Sequence, residues 1–206
     1  MKNTLLAVIA ISLLALSACN NGTDKAADHD MSKMKSDSAA PPSATGDKDI
    51  KSVSVTFTNV DPKIAASVKE VVSHYLHIKN ALANDNADEA ASGAKAVSAA
   101  LAKVDKSFFT PEQKKVYDES EGDLKEHAEH IGKSKIDHQR EHFSMMSEDV
   151  YSLVKAFGGG QALYHDHCPM ANDGKGAMWL SELKEIKNPY MGSKMPTCGT
   201  VEEKIQ

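Results

Sequence analysis

Asp61-Pro62-Lys63-Ile64-Ala65-Ala66-Ser67-Val68 opens the part of the chain that decides the fold. An aspartate accepts hydrogen bonds from the free amides of a helix start, and a proline at the first helical position gives up an amide that has no partner there. Ile64, Val68, Val71, Tyr75, Ile78 and Leu82 then recur at helical spacing, which predicts a helix to about Ala83. Asn86 with Glu89 resembles a second capping arrangement, and the alanine-rich run through Val97, Leu101 and Val104 predicts a second helix. Thr110-Pro111-Glu112-Gln113 joins a capping hydroxyl, a proline and a glutamine at the third position, so a third helix runs to about Ile131. A fourth, from about Ser134, presents Ile136, Phe143, Met146, Val150, Leu153 and Phe157 on one face and stops at Gly158-Gly159-Gly160. Four amphipathic helices of similar length with short connections predict an all-α fold, an up-down four-helix bundle. Val53-Ser54-Val55-Thr56-Phe57 alternates apolar and polar residues and reads as a short strand or an extended lead-in.

The start of the chain carries an address. Lys2 precedes an apolar run, Leu5 to Leu16, that is too short to span a bilayer, which reads as an export signal over residues 1–18. Leu16-Ser17-Ala18-Cys19 resembles the lipobox of bacterial lipoproteins, which implies cleavage before Cys19 and lipidation of its sulfur. An ordinary signal peptide with a chance cysteine is the other reading. Asn20 in place of aspartate, by resemblance to the enterobacterial sorting rule, favours the outer membrane facing the periplasm, with surface exposure left open. Residues 20–49 have almost no branched or aromatic side chains and read as a disordered tether from lipid to domain. The expected organisation is therefore signal 1–18, tether 19–49, bundle 50–157, and a Cys/Met/His-rich segment 158–206 packed on the bundle.

Charge narrows the partners. Of 206 residues, removal of the signal leaves 188 with a formal charge of −6, and no basic stripe exists to neutralise phosphates, which argues against nucleic acid. Beyond Cys19 only Cys168 and Cys198 remain, and in an oxidising compartment a disulfide is their default.

The chemistry lies after the glycines, where His165, His167, Cys168, Met170, Met178, Met191, Met195 and Cys198 fall within 34 residues. Thiolate with thioether suits Cu(I), and carboxylates are too few for calcium or magnesium. Pro169 pushes Cys168 into an extended conformation, in which His165 and His167 point one way and Cys168 and Met170 the other. Cys168 and Met170 are thus expected to be completed from a distance by Met195 and Cys198, with His167 adjacent or on a second site. Asn188-Pro189, Gly192, Pro196 and Gly199 are turn residues able to fold the later loop back.

His167-Cys168-Pro169-Met170-Ala171-Asn172, Gly174-Lys175-Gly176-Ala177-Met178-Trp179-Leu180-Ser181 and Ile186-Lys187-Asn188-Pro189-Tyr190-Met191-Gly192, ending at Met195 and Cys198-Gly199, resemble the domain of unknown function 3347 family. The resemblance runs over about residues 62–205, with Gln139-Arg140-Glu141-His142-Phe143 and Ser147 resembling the family's last helix. That domain occurs alone in exported bacterial proteins and appended to periplasmic adaptor subunits of copper and silver efflux pumps. The resemblance implies Cys168, Met170, Met195 and Cys198 as ligands, Cu(I) as the metal with silver or zinc as alternatives, and a heavy-metal efflux adaptor as a partner. His165 is less typical of the family.

Other readings stand beside these. A Cys168–Cys198 disulfide would close a 31-residue loop and staple the tail by a few kcal/mol; in that case the tail is an interaction surface for an envelope or efflux-adaptor partner. Met178 and Met191 read as gap-filling apolar residues and Trp179 as an anchor of the tail on the bundle. His127 with His130, and His138 with His142 and Met145, sit one helical turn apart and flank the apolar faces, which reads as solvated helix edges rather than a metal patch; His74 and His77 read alike. In the tether, His29, Met31 and Met34 resemble the Met/His arms of exported copper proteins. A Cys168 nucleophile with His165 or His167 as base would need side chains that diverge to converge, and no phosphate cradle, zinc-protease signature or carboxylate pair is present. A cupredoxin needs a β-sandwich. The chain therefore reads as non-enzymatic, without a small organic substrate.

Overall fold

The computed structural model describes residues 50–206, so the signal, Cys19, and His29, Met31 and Met34 of the tether lie outside the described residues. Four long helices occupy the predicted places: α1 (Pro62–Ala83), α2 (Ala87–Ala102), α3 (Pro111–Lys133) and α4 (Ile136–Phe157). Their starts are built as the side chains dictate. Asp61 accepts the Lys63 amide at 2.8 Å, Asn86 accepts that of Glu89 at 3.1 Å, and Thr110 and Gln113 close a reciprocal capping box. Consecutive helices pack together and α1 closes the bundle against α4. None of the described helices is long and apolar enough to cross a membrane.

The all-α expectation is overturned. Four strands, β1 (Lys51–Val53), β2 (Leu163–Cys168), β3 (Ala177–Ser181) and β4 (Thr200–Ile205), form one mixed sheet in the order β1-β4-β2-β3. β1 runs parallel to β4, whereas β2 is antiparallel to both β3 and β4, with an irregularity between His165 and Asp166. The fold is mixed α and β. Alternation, the usual sign of a strand, is missing because β2 and β3 are buried along most of their length, and the irregularity in β2 breaks the period further.

The sheet is joined to the bundle through defined groups. Thr56 and Phe57 donate their amides to the carbonyls of Lys155 and Ala156, which occupies two acceptors that the end of α4 leaves free. The Tyr75 hydroxyl, on α1, accepts the Leu180 amide of β3 at 2.9 Å and lies 2.9 Å from Ser147 Oγ on α4. Arg140 of α4 donates to the carbonyls of Leu82 and Pro189, tying the end of α1 to the tail.

Asp166 sits fully buried in β2, opposite Trp179 of β3. The indole N–H is aimed at the carboxyl without closing a well-formed hydrogen bond. Burial pushes the carboxyl up to about 8, against the pull of Lys79 and with the push of Glu182, from an ordinary 3.8. The folded state therefore holds a proton here that the unfolded chain releases, and the stability this group contributes is fully present below about pH 4 and is lost as pH rises to about 8. Asp166→Asn should flatten that part of the pH–stability profile measured by urea unfolding. An unchanged slope would mean that this carboxyl is ionised in the fold.

Candidate metal centre

Cys168 ends β2 and is fully buried, while Cys198 stands half-buried just before β4. Asn188 shapes the loop between them. Its side chain accepts the amides of Tyr190 and Met191 and donates to the Cys198 carbonyl at 2.6 Å, and its own amide reaches the Pro196 carbonyl. The loop is thereby pulled back, and Cys198 Sγ comes to 2.6 Å from Cys168 Sγ. Gly199 makes the approach feasible: at φ +138°, a Cβ there would meet the His167 carbonyl oxygen and the Trp179 ring, each at 2.9 Å.

Met170 and Met195 adjoin this pair through their backbones. The Met170 amide donates to Cys198, and its half-exposed side chain lines a cleft of about 400 Å³ with Arg140, Tyr190, Met191 and Lys194. Met195 accepts the Cys198 amide at 3.2 Å through its carbonyl and is itself partly buried. His167 goes elsewhere. As the strand neighbour of Cys168 it takes the opposite face, with Nδ1 3.4 Å from Glu202 Oε1 and its ring over Gly176. Cys168, Cys198 and the two methionine backbones are brought together; the His167 ring is not.

Two sulfurs at this separation are within reach of a covalent bond or of one shared ion. An ion about 2.3 Å from each sulfur would need them to part by roughly 1 Å or more, a shift that falls to Cys198 on its loop because Cys168 is fixed in β2. Burial and the neighbouring Cys168 thiol push the Cys198 thiol up to about 11, so a metal would enter by displacing protons. A pair of thiols with no carboxylate between them fits a soft monovalent ion.

Two buried histidine environments complete the picture. His165 stacks on Tyr151 with ring centroids 4.4 Å apart, neither nitrogen has a hydrogen-bond partner, and burial lowers its basicity. The other is a cluster on α3 and α4, where His127, His130 and His138 surround the buried His142.

Residues 71–162 match the family model described as "Protein of unknown function (DUF3347)". Over those residues the chain is similar to the DUF3347 family. The matched part runs from α1 to the residue before β2. It includes the four clustered histidines of α3 and α4 and stops short of Cys168, so the tail motifs that first suggested the family lie outside it. No curated protein and no solved structure matches the chain.

The helical histidines were read as two separate pairs on solvated helix edges, whereas they converge across the α3–α4 hairpin. Their signal was present: His130 and His138, and likewise His127 and His142, stand at almost equal distances from the α3–α4 turn, and the two arms of a helical hairpin pair such positions. Trp179 is a core anchor, fully buried and edge-on to Tyr190.

Proposed function

We propose that this protein is a lipid-anchored, extracytoplasmic binder of Cu(I) or Ag(I) that sequesters the ion or passes it to an efflux system. The observation that carries the reading is the juxtaposition of Cys168 Sγ and Cys198 Sγ at the end of β2, with the backbones of Met170 and Met195 bonded to Cys198. The two cysteines would hold the ion, and the thioethers, the softest neutral donors available, would complete its surroundings. His167 is left out of the set. The address comes from residues 1–19 and the efflux partner from the family resemblance.

The expected result is one tightly held Cu(I) per reduced chain in competition with a chromogenic chelator. Cys198→Ser should weaken binding by about two orders of magnitude or more, because serine oxygen is a poor ligand for a soft ion. The Met170→Leu, Met195→Leu double substitution preserves volume and should weaken it less. Affinity unchanged by Cys198→Ser would refute the assignment.

A second reading is favoured by the 2.6 Å separation of the sulfurs: a disulfide that staples the loop, leaving the tail as a docking surface for an envelope partner.

A further inference from the structure

The turn at Ser134 and Lys135 brings the histidine pair of α3 against the histidine pair of α4. His130 and His142 stack with centroids 4.1 Å apart and planes within 7°, His138 meets His142 edge-on at 4.6 Å, and His127 Nδ1 lies 3.1 Å from His142 Nδ1. The ligand atoms of His130, His138 and His142 all fall within 4.8 Å of one another. His142 is buried beneath the group, whereas His130 and His138 are exposed and open it to solvent.

Solvated helix edges do not account for this convergence. Four rings that took up protons here would repel, and burial, reinforced at His142 by the neighbouring imidazoles, already holds His127 and His142 below the usual histidine range. Neutral imidazoles are the form that ligates a metal. Carboxylates are also in place to orient them. Glu141 Oε2 accepts from His138 Nδ1 at 2.8 Å, which leaves the His138 Nε2 lone pair for a metal, and Asp149 lies 3.8 Å from His127 Nε2. With His142 donating its Nδ1 proton to His127, its Nε2 is free as well.

We propose that His130, His138 and His142 form a second metal site, for a divalent cation of borderline softness such as Zn(II), at the turn between α3 and α4. The all-nitrogen donor set is of the kind that Zn(II), Cu(II) and Ni(II) take, and three protein ligands leave the fourth position of a tetrahedral ion to water. A tetrahedral ion with nitrogens about 2.0–2.1 Å away holds them roughly 3.3 Å apart, so the two exposed rings close in and the His130–His142 stack opens. No donor comes from the tail, so this site stands or falls apart from the sulfur site.

The test is Zn(II) titrated into the full chain, read by ¹⁵N–¹H spectra of the imidazoles. The resonances of His130, His138 and His142 should shift together and saturate at one equivalent, while those of His74, His77 and His165 stay still. His130→Gln with His138→Gln, both at exposed positions, should lower the affinity by about 100-fold or more, and Glu141→Gln by about 10-fold, as loss of an orienting partner does. Zinc that leaves the three resonances unmoved, or binds the double variant as tightly as the native chain, overturns the proposal.

Discussion

Trp179→Ala is expected to destabilise the domain by about 3–5 kcal/mol, the cost of emptying a large aromatic site in a packed core. Trp179 is among the largest fully buried side chains, and it touches three parts of the tail at once. Its ring packs edge-on against Tyr190 with centroids 5.8 Å apart, faces Asp166 across the β2–β3 pair, and lies under the chain where Gly199 enters β4. Tyr190 in turn reaches the Met178 carbonyl and packs on Phe143 of α4. Loss of the indole therefore leaves a cavity between sheet and bundle that neither side can close. Urea unfolding should show the drop as a lower midpoint, and the melting temperature should fall by roughly 10 °C for a domain of this size. A change below about 1 kcal/mol would be that of a surface position rather than a core one.

Lys79→Ala is expected to cost a similar amount, about 3–5 kcal/mol, for an electrostatic reason. Lys79 lies on α1 with none of its side chain exposed, and its ammonium donates to Glu182 at 2.9 Å and to Ser181 at 3.4 Å. The pair joins α1 to the end of β3, where Glu182 also accepts from Asn80 at 2.8 Å. Removal of the cation deprives the partly buried Glu182 of its charge partner and strips Asp166 of the positive charge that favours its ionised form. Lys79→Met keeps the apolar stem and should recover part of the loss. A cycle with Glu182→Gln should show strong coupling between the two positions. Additive effects would mean that Lys79 stabilises through packing alone.

The helical half of the fold was legible because its signals are local. Asp61, Asn86 and Thr110 cap the helices they were expected to cap, and α1 ends at Ala83 where its apolar spacing runs out. The sheet was not legible, since β1 finds its partner β4 at the far end of the described chain, β2 pairs with β4 across the whole intervening tail, and β2 spends its positions on His165, Asp166 and His167, types with little strand preference. The connection from β2 to β3 runs over residues 169–176, with Asn172 and Asp173 in the left-handed region, so its Asp173-Gly174 pair lies in a longer loop and does not mark a two-residue hairpin. At the site, the divergence of His167 from Cys168 follows from strand alternation alone. The return of Cys198 to Cys168 does not, because it depends on the hydrogen bonds of Asn188, a residue whose turn-forming role could be read but whose partners could not.

The central claim is that Cys168 and Cys198 hold a soft metal ion. Thiol counting combined with Cu(I) titration of the purified chain, before and after reduction, tests it most directly. The account predicts two reactive thiols beyond any at Cys19 in the reduced chain, uptake of one Cu(I), loss of both thiols to thiol reagents on loading, and stabilisation of a few kcal/mol with copper well above its dissociation constant. A reduced chain that takes up no Cu(I), with stability indifferent to the metal, would contradict it.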